Sequence, residues 1–288
     1  MLATLDALRE MGGSANLDEL DERIIERAGI GEIEQSYLMP DGRRPRVNYY
    51  LAWARTYLGR GHALVNSRRG VWSLNELGEK ITTKAQCEGI YAAVNAEERE
   101  RARLKRLGSK VTKPEEKPKG PAPQDIIPEL AVAKDDRDWK SRLLDVVIEM
   151  SADAFERLAQ RLMREAGFVR VEVRGKTGDG GIDGVGILRV NLVSFQVYFQ
   201  CKKWRTSVGA REIRDFRGAL QGRADKGLFI TTGTFTAQAN DEASRDGAIA
   251  IDLIDGDRLC ELLKEYDLGV STRMVEAIDI HPTWFGEI

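Results

Sequence analysis

Residues 178–202 constrain the fold more than any other stretch. Gly178-Asp179-Gly180-Gly181-Ile182-Asp183-Gly184 is a glycine-rich turn that delivers one aspartate to the start of a strand, and a second strand ends in Gln200-Cys201-Lys202. Side chains at i and i+2 of a strand share a face. Gln200 and Lys202 therefore point one way, while Phe195, Val197, Phe199 and Cys201 point the other way, into a core. A carboxylate and a polar pair are thus set on neighbouring strands above an apolar layer.

The flanking pattern fits a layered fold. Residues 139–150 read as a helix. The next helix buries Phe155, Leu158, Ala159, Leu162 and Ala166 and stops at Gly167. Residues 168–173 alternate as a strand, and a turn falls near Asn191. Beyond Lys202, helical and strand patterns alternate: helix 208–222, strand 227–231, helix 237–246, strand 248–254 and helix 257–266. This order predicts an α/β domain over residues 138–288, with a mixed central sheet flanked by helices.

Residues 1–95 read as a smaller, mainly α winged-helix domain. Leu2, Leu5 and Leu8 form an apolar face that Gly12-Gly13 ends. Asn16 can cap a second helix with Leu17, Leu20, Ile24 and Ile25 inward. Residues 47–58 read as a third, with Val47, Tyr50, Leu51, Ala54, Tyr57 and Leu58 as its buried stripe. Ala63-Leu64-Val65 and Val71-Trp72-Ser73-Leu74 flank a basic turn as two short strands. Charge divides sharply here: residues 1–40 hold nine acids against three arginines, and residues 41–70 hold seven arginines against Asp41. In a winged helix one helix enters the major groove and the wing touches the backbone. Arg43, Arg44, Arg46, Asn48, Arg55, Arg68 and Arg69 are therefore the candidate DNA contacts, with counterion release as the source of affinity. The rival reading is a merely solvated basic surface. Residues 96–137 read as a linker, first of mixed charge that can extend a helix, then an extended tether rich in proline and lysine.

Composition narrows the chemistry. The net charge of the 288 residues is −2, so a nucleic-acid argument must rest on local charge. Cys87, Cys201 and Cys260 are odd in number and far apart, which fits no disulfide framework or zinc site, and only His62 and His281 are present. With no spanning apolar run and no signal-peptide pattern, the expected compartment is the cytoplasm, near the nucleoid.

Hydrolysis of a phosphodiester calls for a hard divalent ion on oxygen ligands. Asp183 is a suitable anchor, and the side-chain oxygen of Gln200 can complete the site. Lys202, on the same face as Gln200, can orient water or stabilise the pentavalent phosphorus. Few, hard ligands favour Mg²⁺. The turn lacks G-x-G-x-x-G spacing, and Gly181 stands where an EF-hand needs a second acid. Cys201 faces the core as packing. Thr231, Thr232 and Thr234 allow phosphate binding or helix capping, and Trp204-Arg205 allow DNA contact or packing.

The segments Phe155-Glu156, Gly178 to Gly184, Gln200-Cys201-Lys202, Ile213 to Leu220 and Phe229 to Thr232 resemble the Mrr-type catalytic domain of the PD-(D/E)xK nuclease superfamily. Trp53 to Leu58 and Arg69 to Trp72 resemble the Mrr N-terminal domain. The resemblance implies a restriction-endonuclease-like sheet and a modification-dependent (type IV) restriction endonuclease that cuts methylated duplex DNA with Mg²⁺. It matches Asp183 to the metal aspartate and Lys202 to the lysine. Gln200 stands where the wider superfamily has Asp or Glu, which removes one negative charge. Glu156 matches a helix glutamate that helps hold metal; its rival role is a capping box with Asp153. Cutting both strands implies a homodimer or larger assembly. The alternatives are a winged-helix regulator with an inactive nuclease fold, and a repair or junction nuclease.

Overall fold

A computed structural model describes residues 1–40, 45–67, 69–108, 139–173 and 181–273. Arg43, Arg44 and Arg68, residues 178–180 of the glycine turn, and the proline-rich tether lie outside them.

The N-terminal unit contains α1 (Leu2–Glu10), β1 (Ser14–Ala15), α2 (Leu17–Ala28), α3 (Glu32–Ser36), α4 (Arg46–Arg60), β2 (Leu64–Asn66), β3 (Trp72–Leu74), α5 (Glu76–Lys80) and α6 (Lys84–Gly108). Its core is Leu5, Leu8, Leu20 and Leu58, all fully buried. Asn16 caps α2 reciprocally. Its side chain accepts from the Glu19 amide at 3.1 Å, and the Glu19 carboxylate accepts from the Asn16 amide at 3.0 Å. The expected basic hairpin forms, and β1 joins it in an antiparallel sheet of order β1-β3-β2. At two residues, β1 is too short to show alternation in the sequence.

Four expectations change. Leu17, the first residue of α2, lies ahead of the buried stripe and is exposed. Tyr50 is exposed and meets Tyr49 edge-on, because the stripe of α4 runs through Leu51, Ala54, Arg55 and Leu58. Ala166, expected in the buried stripe of its helix, is exposed as the C-cap of the helix that ends at Glu165. Strand β8 starts at Ile251 rather than 248. Among the described residues no helix is long and apolar enough to cross a membrane.

The second unit contains α7 (Trp139–Glu149), α8 (Ala152–Glu165), β4 (Phe168–Val173), β5 (Gly184–Val190), β6 (Val193–Lys202), α9 (Ala210–Leu220), β7 (Lys226–Thr231), α10 (Ala237–Ala243), β8 (Ile251–Ile254) and α11 (Gly256–Glu265). The sheet order is β4-β5-β6-β7-β8. β4, β5 and β6 are an antiparallel meander, and β6, β7 and β8 run parallel through helical crossovers. Helices α7, α8 and α11 cover one face over Phe199 and Val197, whereas α9 and α10 cover the other over Tyr198 and Phe229. Strands buried on both faces read as continuous apolar runs, as β7 does.

Phe216 on α9 has no exposed area and meets Phe229 of β7 edge-on at 5.7 Å. Phe216→Ala should cost about 3–5 kcal/mol. Urea unfolding measures this, and a loss under about 1 kcal/mol would show that the layer is not close-packed.

Candidate active site

The site lies where β5 begins and β6 ends. The antiparallel register sets Gly184 opposite Phe199. One residue earlier, the Asp183 amide donates to the Phe199 carbonyl at 3.0 Å, and Asp183 Oδ2 accepts from the Cys201 amide at 2.6 Å. The carboxylate is therefore fixed by the neighbouring strand's backbone.

Two glycines make this approach possible. Gly181 has φ of 83°, and a Cβ there would lie 2.0 Å from Gln200 Nε2. A Cβ on Gly184 would lie 2.3 Å from the Glu172 carbonyl and 2.5 Å from the Phe199 ring. Glycine is needed at 181 and 184 because side chains and backbone of adjoining strands occupy the space that a Cβ needs.

Burial pushes the Asp183 carboxyl up to about 6; the charge of Glu156 adds to this, while the Cys201 amide and the Lys202 ammonium oppose it. Burial also raises the Glu156 carboxyl, with Asp153 adding and Arg157 opposing. The Cys201 thiol is raised by burial and then by Asp183 and Glu156, which keeps it a neutral packing group. The structure thus brings Asp183, Glu156 and Lys202 into one electrostatic neighbourhood, with buried Gln200 beside the turn.

The capping role expected for Glu156 falls away. Ser151 is the N-cap of α8 and accepts from the Ala154 amide, so Glu156 sits beyond the capping-box position. The two raised carboxyls form an electronegative pair that a hard cation would relieve. Among the described residues no cluster of three His, Cys, Asp or Glu comes together. Asp183, Glu156 and the Gln200 amide are hard oxygen donors of the kind that could hold a divalent cation with water and phosphate as further ligands.

Sequence reasoning missed the residues that fix Lys202. The Thr231 hydroxyl donates to the Lys202 carbonyl at 2.7 Å, and the Trp204 and Thr232 amides donate to the same oxygen at 3.0 and 3.3 Å. The Thr232 hydroxyl donates to the Trp204 carbonyl at 2.8 Å. Thr234 meets Ser207, and Thr236 caps α10. The phosphate or cap expected of Thr231, Thr232 and Thr234 is thus replaced by a clasp on the strand end. Lys202 Nζ stands 5.8 Å from the Trp204 ring. Lys203 donates to the carbonyls of Ile148 and Met150, tying the α7–α8 junction to β6. Arg205 lies near Asp145 and Glu149.

The expected DNA contacts separate. Arg46 and Asn48 are exposed on α4. Arg55 is buried and paired with Asp21, which takes it out of the DNA-facing set; its position on the buried stripe requires an ion partner. Arg69 stacks its guanidinium 4.5 Å from the ring centre of Tyr266.

Residues 147–263 match a model described as restriction endonuclease, and residues 1–84 match the Mrr N-terminal domain. The chain is 30% identical over 283 residues to the type IV methyl-directed restriction enzyme EcoKMrr of Escherichia coli strain K12, covering 93% of this chain and 91% of that protein. The chain belongs to the Mrr family of restriction endonucleases. The modification-dependent endonuclease AspBHI aligns at a TM-score of 0.39 and 24% identity, over 46% of this chain and 36% of its own. MspJI in complex with a 27-mer oligonucleotide aligns at 0.37 and 24%, over 43% and 31%. In this Mrr member Asp183 directly precedes β5, and Gln200 and Lys202 lie at the end of the neighbouring β6.

The raised Asp183 carboxyl gives a stability test. Its folded-state pKa lies above its unfolded value, so its contribution is full below about pH 4 and lost as pH rises through about 6. In EDTA at pH 8, Asp183→Asn should be more stable than the parent by about 1–2 kcal/mol, allowing for solvent screening. The gain should vanish near pH 4. Urea unfolding at the two pH values checks this, and a less stable variant at pH 8 would contradict it.

Proposed function

We propose that this Mrr-family chain binds methylated duplex DNA through its winged helix and hydrolyses phosphodiester bonds at the Asp183 site with Mg²⁺. The observation that carries the reading is the half-buried Asp183 carboxylate, fixed by the Cys201 amide and sharing its surroundings with Glu156 and Lys202. Family membership supplies the reaction class. The methyl-directed character of EcoKMrr supports methylated DNA as the substrate.

Asp183, Glu156 and Gln200 would hold the ion, which supplies charge neutralisation at the phosphate and a more acidic attacking water. Asp183 enters the reaction already oriented, because the β6 backbone holds one of its oxygens. The Lys202 ammonium stabilises negative charge that develops on the phosphoryl oxygens. Its backbone is held by three donors, which keeps the strand end from drifting. Gln200 contributes a neutral oxygen, so the donor set carries one negative charge fewer than an Asp or Glu would give. One chain carries one such centre, so cutting both strands takes a homodimer or larger assembly.

Asp183→Ala and Lys202→Ala should each lower Mg²⁺-dependent cleavage of a methylated plasmid by at least about 10²-fold and leave duplex binding in EDTA within about twofold. Cleavage that survives both changes would assign the chain to DNA binding without catalysis. Thr231→Val keeps volume and removes the donor to the Lys202 carbonyl. It should lower kcat about tenfold with KM unchanged, and Thr231→Ser should restore most of it. An equal loss in Thr231→Ser would mean that β-branch packing, not the hydroxyl, matters.

A further inference from the structure

Helix α8 presents an apolar face to the sheet, yet much of its polar face is also out of water: Gln160, Arg164 and Glu165 are buried. The N-terminal unit covers them. Arg164 Nε donates to Glu19 Oε2 at 3.0 Å, and neither side chain exceeds 3% exposure. Arg164 also donates to Ser14 Oγ.

The outer edge of β4 is covered too. Glu19 accepts from the Val171 amide at 2.5 Å, and Asn16 Nδ2 donates to the Phe168 and Val169 carbonyls at 3.1 and 2.9 Å. Arg170 pairs with Glu22. The acidic α2 thus meets arginines of α8 and β4, so part of the acidic excess in residues 1–40 is matched within the chain.

The wing is seated on the same surface. Ser67 Oγ donates to Glu165 Oε2 at 2.9 Å, and Arg69 lies against the Tyr266 ring. A wing that grips DNA offers such donors to phosphates. Here a carboxylate and an aromatic face take them.

We propose that duplex DNA and the surface formed by α8, β4 and Tyr266 compete for the winged-helix unit, so that the seated chain is a low-affinity form. This rests on the winged helix being the DNA-binding element. The chemistry of the seam suits release. It is built from ion pairs and hydrogen bonds that water can replace, as in transient interfaces. Gln160 Oε1 is buried there without a partner among the described residues, so opening leaves it better solvated. Affinity of the seated chain is lowered by the fraction that is open, and loosening the seam raises it.

The test uses the full chain in EDTA with a fluorescent methylated duplex. Tyr266→Leu with Glu165→Gln alters only the nuclease side of the seam and should tighten binding about five- to tenfold. Arg170→Glu should also tighten it, although it adds negative charge, and Glu22→Arg added to it should restore the parent value. A gain in affinity cannot come from misfolding. Unchanged or weaker binding in both nuclease-side variants, with Arg69→Ala weakening binding, would overturn the competition and leave the wing as a DNA contact. If Arg69→Ala has no effect on binding, the wing's role on DNA falls and the competition with it.

Discussion

Everything at the site depends on the register between β5 and β6. Pairing alternates side chains between faces, so a one-residue slip would carry Asp183 away from the Cys201 amide and turn Phe199 out of its core layer. Contacts on several sides prevent the slip. The turn at Asn191 joins the strands through a Val190–Val193 pair, β4 holds β5 from the far edge, and parallel β7 holds β6. Gly184 adds a local lock, since the Glu172 carbonyl and the Phe199 ring fill the space that any larger residue would need.

That frame holds an arrangement that costs stability in the absence of a cation. Burial already disfavours charge on both Asp183 and Glu156, and a like charge adds to each: Glu156 beside Asp183, and Asp153 beside Glu156. Two apolar layers offset it. Phe155 and Phe199 on one side and Phe216 and Phe229 on the other are buried almost completely, and each contributes about 1.5–3 kcal/mol relative to exposure. The two raised carboxyls are therefore carried on a sheet whose faces are both covered by buried aromatic side chains.

The layered fold was legible because its signals are local. Alternation along residues 193–202 set the two faces of β6, Asn16 marked the start of α2, and Gly167 marked the end of α8. Asp183, Gln200 and Lys202 were legible for the same reason: a glycine turn and an i, i+2 pair fix direction without knowledge of partners. What failed depended on partners. Arg55 read as a DNA contact because Asp21, its ion partner, lies on another helix. Glu156 read equally as a cap because the choice of Ser151 as N-cap is made by φ, ψ and the Ala154 amide. Thr231 and Thr232 looked like phosphate or capping hydroxyls because the parallel pairing that places them against Lys202 and Trp204 has no sequence mark.

Charge in residues 1–70 shows the same limit from another direction. A run of acids followed by a run of arginines suggests an acidic face and a basic, DNA-facing one. The structure divides these charges by partner instead. Glu19 and Glu22 meet Arg164 and Arg170 across the seam, Arg55 is spent within the winged helix, and Arg60 pairs with Glu98. Arg46 and Arg69 remain at the surface, and Arg69 rests on Tyr266. Helix α8 joins the two halves of the problem. Glu156 projects from its second turn toward Asp183, and Arg164 and Glu165 at its far end meet the winged helix. Ser151 and the Lys203 tie fix the start of that helix to β6 whatever occupies its other end. One helix therefore links the two units, with the Glu156 carboxylate at its anchored end and the contacts to the winged helix at the other.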